Sequence, residues 1–527
     1  MSSPASVWLE DPVWRRRLLG VARLGFVNCL MLFLGAAPGL AGEIDSAALS
    51  AKIDRDLEAD WKAQQLAPAP ATEDGEFVRR VYLDLVGHIP RVSDVRAFLE
   101  DPAPDKRSRL IAKLVASSAY ARHMATFWRR QWIPQTDTPQ FALLAEEADR
   151  WLTIQIRERT PHDRIVRRLM TAAPAAGRPA PMTFLAASEF KPENLAASTT
   201  RAFLGLNLDC AQCHNHPFAR WSQDQFWQTA SFFARPRPSA GDMDAPARLE
   251  LRIPQTERTV GPRLLTDPQP DWPQELTRDT GREILADWVV ARSNPYFARN
   301  SVNRVWAKFF GRGIVEPLDD MSDANPPSHP ALLADLAEAL KEGDFDIDGL
   351  VRAIAMSRAY QLSSRAVTGQ SAEPERFERA IVRGLDGEQL YDSLRIAAGL
   401  PLDRDDEDSN TSRNARKQFA DSFRVERPAT AQRSILQALM LMNGAQVTQL
   451  TSIQTTPTLR SVTDSPFLTP AERIDILVLA AFSREPDAEE RARLIRFATR
   501  QGEMLAPDAL EDLFWTLLNS TEFNTNH

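Results

Sequence analysis

A chain of 527 residues with 43% hydrophobic and 25% charged residues is long enough for two to four domains and ordinary in composition for a globular protein. Its formal net charge of −8 argues against a nucleic-acid binder, which needs a basic face. Three cysteines in so long a chain do not make a disulfide framework.

The chain opens with a targeting pattern. Arg15 to Arg17 precede an apolar run from Leu24 to Leu34, and Gly39-Leu40-Ala41 supplies a small-residue cleavage site. Residues 1–41 are therefore expected to be a secretory signal, cut after Ala41, with a retained anchor as the alternative because Leu24 to Gly42 is uncharged. The "RRRLL" at Arg15 to Leu19 loosely resembles a twin-arginine signal. Cleavage removes four Arg against Glu10 and Asp11, which takes the net charge from −8 to −10. It also removes Cys29, so Cys210 and Cys213 remain as one local feature. The mature protein is expected to be exported, in the periplasm or cell envelope, with no membrane span after signal cleavage.

Helical periodicity dominates the chain beyond Ala41. "GEFVRRVYLDLVG", "DKRSRLIAKLVAS", "AYARHMATFWRRQW", "LLAEEADRWLTIQIRER", "REILADWVVAR", "HPALLADLAEALKEG" and "DGLVRAIAMSRAYQL" all place apolar residues three and four apart. Near the C-terminus Ile474, Leu477, Val478, Ala481 and Phe482 form one such stripe, and Leu510, Leu513, Phe514, Leu517 and Leu518 another. Each stripe needs a partner surface. Period-two runs are nearly absent apart from "RLELRI" at Arg248 to Ile253, so the fold class is mainly α: two helical domains joined by a Pro-rich connector with a small β-hairpin. The domains are expected at 43–235 and 280–527, with the connector at 236–279. "LAPAPATEDG" (Leu66 to Gly75) and "TAAPAAGRPAP" (Thr171 to Pro181) read as further connectors, and the acidic Leu402 to Lys417 stretch as an exposed loop.

The chemistry concentrates in "DCAQCHNHPF", Asp209 to Phe218. Cys210, Cys213 and His214 make the C-x-x-C-H pattern of covalent haem attachment: two thiols for the porphyrin vinyl groups and a histidine for the iron. The preceding "NLAASTTRAFLGLNLD" reads as a helix that delivers the thiols at its C-terminal end. A Zn or other divalent metal site is the rival reading, with His214 and His216 beside the thiols and His123 or His329 arriving from afar. A plain disulfide is the third. Each remote histidine has a structural alternative, His123 as a core residue among apolar helix positions and His329 as the first residue of a helix. Trp221 and Trp227 fill core or wall a cleft. Arg304, Asp319, Asp320, Asn325 and His329 are the material of a polar or metal-binding pocket, although a connecting turn with its charges facing water is the simpler expectation. No phosphate loop, nucleophile elbow, H-E-x-x-H or dinucleotide fingerprint is present.

"FVRRVYLDLVGHIPRVSDVRAFLEDPAPDKRSRLIAKLVASSAYARHMATFWRRQW" together with "LDCAQCHNHPFARWSQDQFWQTASFFAR" resembles the planctomycete cytochrome-like domain of unknown function (PSCyt type). "NPYFARNSVNRVWAKFFGRGIVEPLDDMSDANPPSHPALLADLA", "DGLVRAIAMSRAYQLSSR", "RSILQALMLMNGAQV" and "DLFWTLLNSTEFNTNH" resemble its usual partner domain (PSD type). The resemblance implies an exported protein in a polysaccharide-degrading context, with haem c on Cys210, Cys213 and His214. Some members carry an additional cytochrome c domain that this chain lacks. The function expected is an electron carrier or redox subunit of an envelope complex, working with redox or envelope partner proteins. The alternatives are a metal-dependent extracellular enzyme on polysaccharides or their esters, and a binding or scaffold module with a structural disulfide.

Overall fold

The computed structural model describes residues 42–172, 182–234, 249–272, 277–365, 374–402, 410–423, 434–499 and 505–527. The signal-like segment 1–41, most of Thr171 to Pro181 and parts of the 236–279 stretch lie outside them. The fold is mainly α, as expected: the described residues form helices throughout, with two-residue strands in two antiparallel pairs as the only strands among them.

The helical patterns become helices at nearly the expected places, including Asp74–Leu85, Ser118–Trp132, Ala142–Arg157, Pro330–Glu342 and Ile347–Met356. Local chemistry starts them. Ser117 accepts from the Tyr120 N–H, and Thr469 forms a reciprocal capping box with Glu472 ahead of Pro470–Phe482. The two C-terminal stripes are buried as their periodicity requires, and they share one apolar core.

Residues Gly42–His527 form one compact unit. Its first apolar core runs from Ile44 to Phe377, joined by Leu479, and takes in residues on both sides of the 236–279 stretch; the second gathers Leu83, Ile89 and residues from Leu385 to Phe523. Within that stretch the expected hairpin is present, with Leu251 opposite Val260 and Arg252 opposite Thr259. The helix Asp74–Leu85 feeds both cores, Phe77, Val78 and Val81 entering the first and Leu83 the second. It also buries Arg79, Arg80 and Asp84, charges that a surface-helix pattern would put in water. Asp84 accepts from Arg383 at 2.7 Å, from the Tyr360 hydroxyl at 2.9 Å and from the Asn526 amide at 2.9 Å.

One expectation is corrected. The Leu402 to Lys417 stretch is not loop throughout: a helix, Asn410–Ser422, begins inside it. Arg416 explains its docking, because its guanidinium pairs with Asp392 at 2.9 Å and Glu388 at 3.1 Å in a largely buried setting. No helix among the described residues is long and apolar enough to cross a membrane.

Candidate functional site

The approach to the cysteines differs from a single helix. Pro192–Thr199 ends in a wider π turn, Thr200–Leu204, and Gly205 then turns the chain at φ +66°. A side chain at Gly205 would meet Asn300 Oδ1 at 2.8 Å, so position and backbone angle both call for glycine. Beyond it, Leu206 forms a β-bridge with Asp320, and the Met321 N–H donates to the Gly205 carbonyl at 2.8 Å. The helix thus stops at Leu204, short of the expected end at Asp209, and a short extended segment leads on to the thiols.

That segment is held by polar residues of the "NSVNRVWAKFFGRGIVEPLDD" string. Asn300 donates to the Ala202 carbonyl at 2.9 Å, and Arg304 donates to the Arg201 carbonyl at 2.8 Å, to Gln131 at 2.6 Å and to Asn300 at 3.0 Å. Burial pushes the Arg304 guanidinium down to about 10. Asp319 reaches Arg201 at 3.5 Å, and the Asp320 carbonyl accepts from Asn325 at 2.9 Å. These groups act as a buttress for the backbone that leads into the motif. Their sequence signal was the cluster of polar residues, and its partner across the fold was not visible in it.

The motif itself is a surface turn. Asp209–Gln212 forms a 3-10 turn that buries Ala211 and leaves the thiols of Cys210 and Cys213 free and exposed. The backbone around them is pinned from behind. Trp227 Nε1 donates to the Gln212 carbonyl at 3.0 Å, Gln223 Nε2 to the Cys213 carbonyl at 2.9 Å, and the Gln223 N–H to Asn215 Oδ1 at 2.9 Å. Both pinning residues sit on the helix Gln223–Ser231, started by a capping box at Ser222. Trp221 and Trp227 are buried in the first core. Replacing Trp227 by Phe keeps most of the ring but removes one hydrogen bond, and is expected to cost about 1 kcal/mol in urea unfolding; a variant as stable as the parent would show that the Gln212 contact contributes nothing.

The two nearby histidines differ in their free nitrogen. His214 is exposed, and its Nδ1 lies 2.8 Å from the Asn215 carbonyl, which can only accept; the proton therefore sits on Nδ1 and the Nε2 lone pair is open. His216 is the reverse. Its Nδ1 accepts from the N–H groups of Phe218 at 3.2 Å and Ala219 at 2.9 Å, which puts the proton of the neutral ring on Nε2.

The structure does not bring the remote histidines to these two. His123 Nε2 lies 2.8 Å from Lys308 Nζ, its ring packed against Gly87, and burial with the Lys308 charge holds it well below the usual histidine range. His329 stands at the N-terminus of Pro330–Glu342, buried, with Nε2 3.2 Å from Asp60. Burial lowers it against the opposing pull of Asp60. Among the described residues no group of three or more His, Cys, Asp or Glu is arranged to hold a metal ion. Chemically, the motif offers two accessible thiols and one imidazole with an open ring nitrogen, on a turn whose carbonyls are already fixed.

This geometry lies within a recognised sequence family. Residues 52–237 match PSCyt2, a protein of unknown function (DUF1549), and residues 281–424 match PSD1, a protein of unknown function (DUF1553). The chain belongs to these two families in tandem. Cys210, Cys213 and His214 fall inside the PSCyt2 match, and the Asn300 to Asn325 buttress falls inside the PSD1 match. The two families therefore meet at the backbone that carries the thiols. No curated protein and no solved structure matches the chain.

Proposed function

We propose that this PSCyt2–PSD1 protein is exported to the periplasm or cell envelope and carries one c-type haem, acting there as an electron carrier or as the redox subunit of an envelope complex. Cys210 and Cys213 would hold the haem by thioether bonds, each S–H adding across one vinyl group, and His214 Nε2 would ligate the iron. When bound, the haem supplies one-electron exchange.

The observation that carries this reading is the His214 ring. A metal-binding imidazole commonly donates its other N–H to a carbonyl, which fixes the tautomer and aims the ligating nitrogen. His214 makes that bond to its neighbour Asn215. The exposed thiols support the same reading, since attachment requires access to both. Phe218, 85% exposed beside the motif, is an apolar side chain free to lie against a bound macrocycle. His216 fits the metal-dependent alternative poorly, because its Nδ1 is occupied by two backbone donors and its Nε2 carries the proton.

The test is maturation in a host with haem-attachment machinery. A haem absorbance spectrum that survives denaturation, and an intact mass raised by one haem, are expected. Cys210→Ser with Cys213→Ser should lose both completely, whereas His214→Ala should keep the added mass with an altered spectrum. Colourless parent protein of unmodified mass would overturn the reading.

A further inference from the structure

A second site lies away from the cysteine motif. A cavity of about 40 Å³ is bordered by Tyr120, Trp128, Trp132, His162, Phe345 and Asp348, and none of residues 209–218 lines it. At roughly 10–15 Å³ for each water-sized group, it has room for a chain of about three or four heavy atoms.

Two polar groups on its wall have capacity for a further partner. His162 is only 3% exposed, packed against Trp128 at 4.5 Å and Trp132 at 5.3 Å between ring centroids, and neither ring nitrogen has a hydrogen-bond partner among the described residues. Asp348 accepts one hydrogen bond, from the Tyr120 hydroxyl to Oδ1 at 2.8 Å, and no cation pairs with it within 4 Å among the described residues. Its neighbour Asp346 differs: it caps a helix at Gly349 and faces Arg352 at 3.7 Å. Arg159, at the mouth, is mostly exposed and lies 3.8 Å from Glu43. Asp348 is half-buried, and Arg352 and Arg159 act on it only through space, so a cation seated against its open oxygen would still gain from it. Aromatic faces around such a carboxylate favour an organic cation over a hydrated metal ion.

We propose that this cavity binds a short primary alkylammonium, with its charge against Asp348 Oδ2, an N–H available to the neutral His162 ring, and its carbon chain against Trp128 and Phe345. The full-length mature protein titrated calorimetrically with propylammonium chloride should show saturable binding with a dissociation constant in the millimolar range or below. Asp348→Asn keeps an acceptor for Tyr120 and should weaken binding at least about tenfold, as loss of one charge-assisted hydrogen bond implies. The parent protein supplies an independent comparison if that variant folds poorly, because 1-propanol, the neutral isostere, should neither bind nor compete. Failure of propylammonium to saturate, equal affinity in a folded Asp348→Asn variant, or equal binding of 1-propanol would each overturn the proposal.

Discussion

Replacing Arg79 by Leu is expected to destabilise the folded protein by about 3 kcal/mol, a large share of the stability of an ordinary folded chain. Arg79 is fully buried on the helix Asp74–Leu85 and donates to the carbonyls of Ala481 at 2.9 Å, Glu522 at 3.3 Å, Phe523 at 2.6 Å and Thr525 at 3.3 Å. It thereby ties that helix to the end of Pro470–Phe482 and to the last residues of the chain. Burial lowers its guanidinium to about 10, against the pull of Glu522. Leucine removes the buried charge, which offsets part of the loss, but leaves four carbonyls short of a donor at about 1–3 kcal/mol each. Urea unfolding would measure the change. A loss under about 1 kcal/mol would mean that water replaces the guanidinium at those carbonyls.

The second large effect is one of pH. Burial pushes His162 down from 6.5 to about 3, and no neighbouring charge opposes it. The unfolded chain binds a proton on this ring near pH 6.5, and the folded chain binds it only near pH 3. Stability is therefore undiminished by this group above about pH 6.5 and falls as the pH drops towards 3. At pH 5 the difference amounts to about 2 kcal/mol. His162→Phe, at a ring packed on Trp128, Trp132 and Phe297, should be close to neutral at pH 7.5 and should recover about that amount at pH 5. Burial raises Asp348 and Asp149 to about 6, an opposite dependence that favours the folded state as pH falls below 6, and it is common to parent and variant. Urea unfolding of both proteins at the two pH values isolates the histidine. An equal acid loss in parent and variant would show that His162 takes up its proton in the folded state.

The link between the two families bears on the haem reading. The carbonyls of Ala202 and Arg201, just upstream of Cys210, are held by Asn300 and Arg304 from the PSD1 region. A PSCyt2 segment folded without that region would lack these donors. The pairing of the two families in one chain therefore has a physical basis at the motif, whatever group the thiols carry.

The sequence alone determined the helices and the place of the cysteine motif. Apolar spacing of three and four residues found the helices, because a helix must bury one stripe and the stripe is written locally; the Ile474 and Leu510 stripes both proved buried in one core. Loss of Cys29 with the signal would leave Cys210, Cys213 and His214 as a single cluster, visible because its members are adjacent in the chain. Tertiary structure decided everything that depends on distant partners. Arg79 and Asp84 follow a helical pattern that says nothing of burial, and carbonyls and side chains 276 to 446 positions away make their burial tolerable. His214 and His216 differ by two positions, and backbone groups beside them, set by a fold that no spacing reveals, leave Nε2 open on one and protonated on the other. The cavity of Tyr120, His162 and Asp348 had no signature at all, because three separated helices contribute one polar group each and only packing brings them to a common wall.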